Sequence, residues 1–439
     1  MSENKKIPDL IKEQLNSAIM QTVTQYKEEN IGYRNFTRER KLTMETMIKA
    51  IISMQGGSLN KELYELGINV SVAAFSKRRK NLSWLDFENV FECFNEMQTD
   101  CKTYKGYRLY AVDGTTINMP RNPNAESFVT YKGNEEGYNQ LHVNPIYDIL
   151  NRQYIHCLVQ PQPKQDEVGA LTFLLQWYDF EEKTLIIADR GYESYNLFAH
   201  CIEKKNIDFL IRVKQNRTAM REVAKLPMEE LDVDLSFTLT TTQRNIDKAN
   251  NYIYIQTRKN KNRKYSDKTN AGKWDFQSPY TMTFRVVRFL LDNGQYETIA
   301  TTLPRTFSLS DIKELYHMRW GIETAFRDLK YNIGLVNLHG KSDDYVKQEI
   351  FAAMTISNFC SRITNHIVIQ KKNENMYAYA VNWKMAVTLC IKFYRDDSFD
   401  SEQLMEDIQK YIEPIRKGRK DERKLKTKSF VGFIYRVSA

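Results

Sequence analysis

The 439-residue chain has little of what builds metal-thiolate centres, disulfide frameworks or membrane spans. Its six cysteines, Cys93, Cys101, Cys157, Cys201, Cys360 and Cys390, include no C-x-x-C pair and none has a histidine at zinc-finger spacing. Zinc is therefore not expected, and the thiols read as reduced and structural. Histidine is equally scarce, at six residues, and His142, His156 and His317 read as packing or surface groups rather than general bases. No run of 18 apolar residues occurs, and the opening MSENKKIPDL lacks the apolar segment of a signal peptide, so neither export nor a membrane span is expected and a cytoplasmic location is. Internal repeats and long low-complexity stretches are absent too. What is left is a chain long enough for two or three cores. Its 64 Lys and Arg against 55 Asp and Glu give +9, an excess that informs only where it clusters.

Residues 1–100 read as helical, with apolar residues at helical period in PDLIKEQLNSAIMQTVTQY and ETMIKAIISM. In SLNKELYELGINVSVAAFSKRRK, Ser58 and Ser71 are placed to cap two short helices about Gly67. The segment reads equally as a helix-turn-helix or as part of a bundle. In the first case Lys77, Arg78 and Arg79, at the end of the second helix, would meet phosphate. From about 106 the texture becomes β, in GYRLYAVDG, QLHVNPIYDIL and RQYIHCLVQ, with a turn over 148–152. A helix from Asp166 to Trp177, the strand TLIIAD, a helix over 194–204 and the strand DFLIRV follow. DLSFTLTTT, NYIYIQTR, YTMTFRVVRFLL and YETIATTL favour strand by their β-branched and aromatic content. Helices resume over 305–395. Two basic runs stand out: seven cations against Asp267 alone between Arg258 and Lys273, and eight against two acids between Arg416 and Lys428, a composition that reads either as a solvated segment or as an arm on nucleic acid.

The most informative segment is YHMRWGIETAFRDLK, from Tyr316 to Lys330. Its Tyr, Arg, Glu and Lys fall at offsets of zero, three, seven and fourteen. At about 100° per residue these lie within roughly 60° of one another on an uninterrupted helix. A carboxylate flanked by a phenol and two cations suits a phosphodiester and a metal ion. With RLYAVDGTTINMP around Asp113 and TLIIADRGYESY around Asp189, the segment resembles the Y-(2)-R-(3)-E-(6)-K signature and two acidic blocks of the IS4 family of bacterial DDE transposases. The likeness is close over residues 100–360.

The resemblance implies an α/β fold: an RNase H-like catalytic core in the order βββαβαβ and then α. Its parts would be a helical DNA-binding domain over 1–100, the first part of the core over 106–213, a β-rich insertion over 214–304, the catalytic helix and further helices over 305–395, and a basic region over 396–439. It implies that Asp113, Asp189 and Glu323 hold two Mg²⁺ or Mn²⁺ ions, the oxygen-ligand chemistry hard cations take. Tyr316, Arg319 and Lys330 would then hold phosphates as a neutral donor, a planar fork and a point charge, with Arg190 a further phosphate ligand. In the hairpin-forming subgroup a Trp of the insertion stacks beside the site. Trp274 is the candidate, with packing inside the insertion as the other reading. The expected partners are double-stranded DNA, as element ends and target, and a second copy of the chain in the synaptic complex. A silent DNA-binding repressor and a nuclease without strand transfer are the alternatives.

Overall fold

The computed structural model describes residues 6–29, 36, 41–131, 134–215, 220–255, 273–369 and 378–415. Most of the basic loop that begins at Arg258, and the tail from Arg416, lie outside the described residues.

Five helices open the chain: α1 (Ile7–Glu29), α2 (Met44–Ser53), α3 (Leu59–Glu65), α4 (Val72–Arg79) and α5 (Trp84–Glu96). The expected caps are present. Ser58 accepts from the Lys61 amide and Ser71 from the Ala74 amide, and Gly67 turns the chain at φ +65°, a conformation that costs a Cβ-bearing residue. The sheet follows, with β1 (Arg108–Val112), β2 (Thr115–Met119), β3 (Phe128–Tyr131), β4 (Asn134–Asp148) and β5 (Gln153–Pro161). Then come α6 (Glu167–Trp177), β6 (Thr184–Ala188), α7 (Tyr195–Glu203) and β7 (Ile207–Arg212). The next stretch holds α8 (Arg221–Ala224), β8 (Leu231–Thr240), α9 (Asn245–Ala249), β9 (Ile253–Tyr254), β10 (Tyr280–Leu290) and β11 (Tyr296–Thr301). The helices α10 (Leu309–Met318), α11 (Gly321–Arg327), α12 (Asp343–Asn365), α13 (Trp383–Arg395) and α14 (Ser401–Lys410) follow, and a small pair, β12 (Ala378–Val381) and β13 (Ile412–Ile415), joins in the same region.

β4 pairs antiparallel with β1 and β5, while β6 runs parallel to both β1 and β7. The core order β5-β4-β1-β6-β7, with α6 and α7 as crossovers, is that of the expected RNase H-like fold. Every residue of β1 and β6 is buried, which is why RLYAV and TLIIA carry no polar alternation: helices and loops cover both faces of a parallel sheet.

Three features depart from the sequence reading. β2 and β3 form an extra pairing on β4, unsuspected because TTINM is short and only half apolar. The insertion does not fold as a separate subdomain. β11 pairs antiparallel with β7, so β11, β10 and β8 extend the core sheet, and among the described residues of NYIYIQTR Ile253 and Tyr254 join it. Nor do the described residues of 1–100 hold a core of their own. Leu15, Ile48, Phe87 and Phe91 share one hydrophobic cluster with Phe351, Phe359, Ile391 and Leu404. The cause is α12, which is buried on nearly all sides and must be surrounded by other helices.

Candidate active site

Asp113 and Asp189 follow β1 and β6 directly. The register pairs Val112 with Ala188, so carboxylates 76 positions apart in the sequence emerge side by side at the carboxyl ends of adjacent parallel strands, where ligands of open α/β sheets bind. Each is locked by its own turn. Asp113 Oδ1 accepts from the Gly114 amide at 2.9 Å, and Asp189 Oδ1 accepts from the Arg190 amide at 2.7 Å.

The segment from Tyr316 to Lys330 covers these acids, but it is not one straight helix. The Arg319 and Trp320 amides bond three residues back, to Tyr316 and His317, tightening the chain between α10 and α11. A π-helical turn occupies Asp328–Asn332, a distortion frequent at functional sites. The four side chains still converge. Tyr316 donates its hydroxyl to Asp189 Oδ1 at 3.2 Å. Arg319, 3% exposed, reaches Asp113 Oδ2 at 3.8 Å and Glu323 Oε1 at 3.6 Å. Lys330 donates to Thr115 Oγ1 at 2.7 Å. Glu323 remains open to solvent, its side chain 38% exposed.

Burial dominates the electrostatics. It pushes the Asp113 carboxyl up to about 6, against the Gly114 amide and Arg319, with the charges of Glu167 and Glu323 adding to the rise. Burial, then the charge of Asp189, lifts the Tyr316 hydroxyl well above its usual value and keeps it a donor. Burial alone lowers the Lys330 ammonium. Arg319 makes long contacts with two acids, and its Nε is buried without a hydrogen-bond partner.

That donor set fits divalent Mg²⁺ or Mn²⁺, which take carboxylate oxygens. Among the described residues no three acids, histidines or cysteines stand close enough to grip one ion, and the Arg319 guanidinium reaches both Asp113 and Glu323.

Other expected residues fall elsewhere. Arg190 is exposed and lines a cavity of about 530 Å³ with Arg212, Gln215 and Tyr296, on the flank of Asp189. Trp274 packs edge-on against Phe276 and Tyr280, with Nε1 buried, which is the packing reading of this residue. Arg79 requires a correction. It is 3% exposed, paired with Glu349 at 2.9 Å and bonded to Gln348 and to the Tyr345 carbonyl, so its guanidinium faces α12 and not solvent. Arg78 lies over the Phe36 ring and bonds the Leu42 carbonyl. Lys77 is exposed.

Two groups at the site went unnoticed in the sequence. Arg212 closes β7, 3.8 Å from Asp189 Oδ1 and 3.1 Å from Glu297 Oε1, and its signal was a cation at the end of a buried strand. Glu167, opening α6, lies 3.1 Å from His142 Nε2. Its carboxyl is held below the usual range, first by that hydrogen bond, and no local motif announced it.

The strand order, with two acids at the carboxyl ends of adjacent parallel strands, defines an α/β protein of the RNase H-like class. The family model for the transposase DDE domain matches residues 104–359, more than half of the chain. The chain belongs to that family and is an enzyme of DNA transposition. No curated protein matches it. Among solved structures it is similar to a piggyBac transposase in a synaptic complex with hairpin DNA, with 10% identity, a TM-score of 0.46 and coverage of 91% of this chain and 81% of the other.

Proposed function

We propose that this transposase is of the IS4 type, that it binds the ends of its own insertion sequence, and that it moves the element by cutting and rejoining DNA. The reading is carried by one observation: Tyr316, Arg319, Glu323 and Lys330 all reach the edge where Asp113 and Asp189 emerge. Asp113, Asp189 and Glu323 would hold two Mg²⁺ ions. When bound, these supply Lewis acidity at the phosphorus and lower the pKa of the attacking water or 3′-hydroxyl.

The chain's own residues do the rest. β1 and β6, packed on both faces, fix the two aspartates so that little reorganisation accompanies reaction. Tyr316, kept protonated, offers a neutral donor. Arg319 offers a planar fork, and Lys330 a point charge. On engaging a phosphate, Arg319 would leave the space between Asp113 and Glu323 and clear it for a cation. Arg190 and Arg212, on the flank of Asp189, suit the continuing backbone. The partner is double-stranded DNA, and joining two ends calls for two copies of the chain.

The test is incubation of the protein with Mg²⁺ and a duplex bearing the element's end beside a target duplex, the nick and the joined strand being mapped on sequencing gels. Nicking at the element's end followed by joining of the new 3′-hydroxyl is expected. Nicking without joining would make the chain a nuclease, and binding without nicking a repressor.

A further inference from the structure

The carboxylate of Glu167 stands against the turns that follow both aspartates. A Cβ placed on Gly114 would lie 2.6 Å from Glu167 Oε1 and 2.3 Å from His142 Nε2, and one placed on Gly191 would lie 3.9 Å from Glu167 Oε2. One oxygen therefore faces the turn after Asp113 and the other the turn after Asp189. The glycine of the Asp-Gly pair is explained by this approach: any side chain at 114 would collide with the glutamate and the imidazole.

Glu167 is held there by design of its surroundings. His142, 2% exposed on β4, meets Oε1 at 3.1 Å, and Gln165 Nε2 donates to the same oxygen at 3.2 Å. Among the described residues Oε2 receives no hydrogen bond from the protein, and the side chain is 31% exposed, open to an ion or water. Helix capping does not account for the arrangement. A glutamate in a first turn is favourable at any rotamer, and the cap of α6 is already made by Asp166, which accepts from the Gly169 amide. Nor does core satisfaction, since His142 Nδ1 is itself buried without a partner. A buried imidazole, left half satisfied, fixes one oxygen of a carboxylate and turns the other toward the catalytic edge. That is the role outer histidines and carboxylates play around metal centres.

We propose that Glu167 is a fourth carboxylate donor of the divalent-metal centre, shared between the Asp113 and Asp189 sides, with His142 as its positioning residue. The proposal rests on the assignment of Asp113, Asp189 and Glu323 as the metal-binding acids. Four carboxylates give two ions two each, the number Mg²⁺ takes while keeping several waters.

The experiment uses the full chain and Mn²⁺ as the probe, its binding followed by the loss of the free-ion electron paramagnetic resonance signal, alongside melting temperature without metal. Glu167→Gln should weaken Mn²⁺ binding about tenfold or more, within the range outer and inner ligands command, with the metal-free melting temperature unchanged or raised. His142→Leu should weaken it less, since it loosens a donor without removing one. The Mn²⁺ concentration for half-maximal nicking should shift by the same factor in each variant and recover at high Mn²⁺. Unaltered Mn²⁺ binding in Glu167→Gln, or a loss that appears only with a lowered melting temperature in both variants, would overturn the proposal. Asp113→Asn separates the two claims: if it leaves Mn²⁺ binding intact, the assignment of the metal-binding acids fails, whatever Glu167 does.

Discussion

Replacing Arg79 with alanine distinguishes a cation that holds the fold from one that holds DNA. The guanidinium is 3% exposed and bridges α4 to α12 through Glu349 at 2.9 Å, Gln348 Oε1 at 2.7 Å and the Tyr345 carbonyl at 2.9 Å. Glu349 also accepts from the His339 and Gly340 amides. Although burial opposes its ionisation, Arg79 first and then His339 hold its carboxyl down to about 2 from its usual 4.5. Removing the arginine strands a buried carboxylate, a loss of about 3–5 kcal/mol. A folded-state pKa below the unfolded one gives stability that is full above about 4.5 and lost as pH falls toward 2. The deficit of Arg79→Ala should therefore be largest near neutrality and shrink on acidification, where both proteins carry the proton. Calorimetric melting from pH 7.5 down to about 2 reads this directly, with exposed Lys77→Ala, expected within about 0.5 kcal/mol of wild type, as the control. Wild-type stability in Arg79→Ala, combined with a flatter salt dependence of DNA binding, would return the residue to the DNA surface.

Two further outcomes follow from the site and the insertion. Asp113, raised from 3.8 to about 6, contributes stability that is full below about 4 and lost as pH rises through about 6, at most about 3 kcal/mol. Asp113→Asn should thus melt higher than wild type at pH 7.5 without metal and alike at pH 4, and Mg²⁺ should stabilise wild type more at pH 7.5 than at pH 5; a variant less stable at both pH values refutes this. Trp274→Ala, which removes a half-buried ring packed on Phe276 and Tyr280, should lower the melting temperature, by less than the ~3–5 kcal/mol of a fully buried aromatic, and depress nicking and any hairpin step together. A selective loss of the hairpin step at an unchanged melting temperature would restore the base-stacking role.

Local signals carried much of this far. The caps at Ser58 and Ser71, the helix after Asp166 and the continuous apolar runs around Asp113 and Asp189 each rest on neighbours in sequence, and each is in place. The four positions of the Tyr316 segment were readable from spacing, though the tight turn at Arg319 and the π-helical turn were not, since backbone hydrogen bonds that skip to three or five residues leave the side-chain pattern almost unchanged. Long-range pairing was the harder matter. That β11 adds to β7 is decided by which sheet edge is open, and that α12 gathers helices from both ends of the chain is decided by its burial on all sides. Arg79 looked like a phosphate ligand because it stood among cations at a helix end, and only Glu349, 270 positions away, shows otherwise. Glu167 was invisible for the same reason, and His142 read only as a packing or surface group, since both are joined to the aspartates by the fold alone.

The decisive measurement is Mg²⁺-dependent cleavage of a duplex carrying the element's end by Asp113→Asn, Asp189→Asn and Glu323→Gln, with binding of the same duplex measured in parallel. Each substitution keeps shape and removes one charge from the centre. Loss of cleavage in all three, with binding retained, is expected; wild-type cleavage by any one of them would contradict a site built from these three acids.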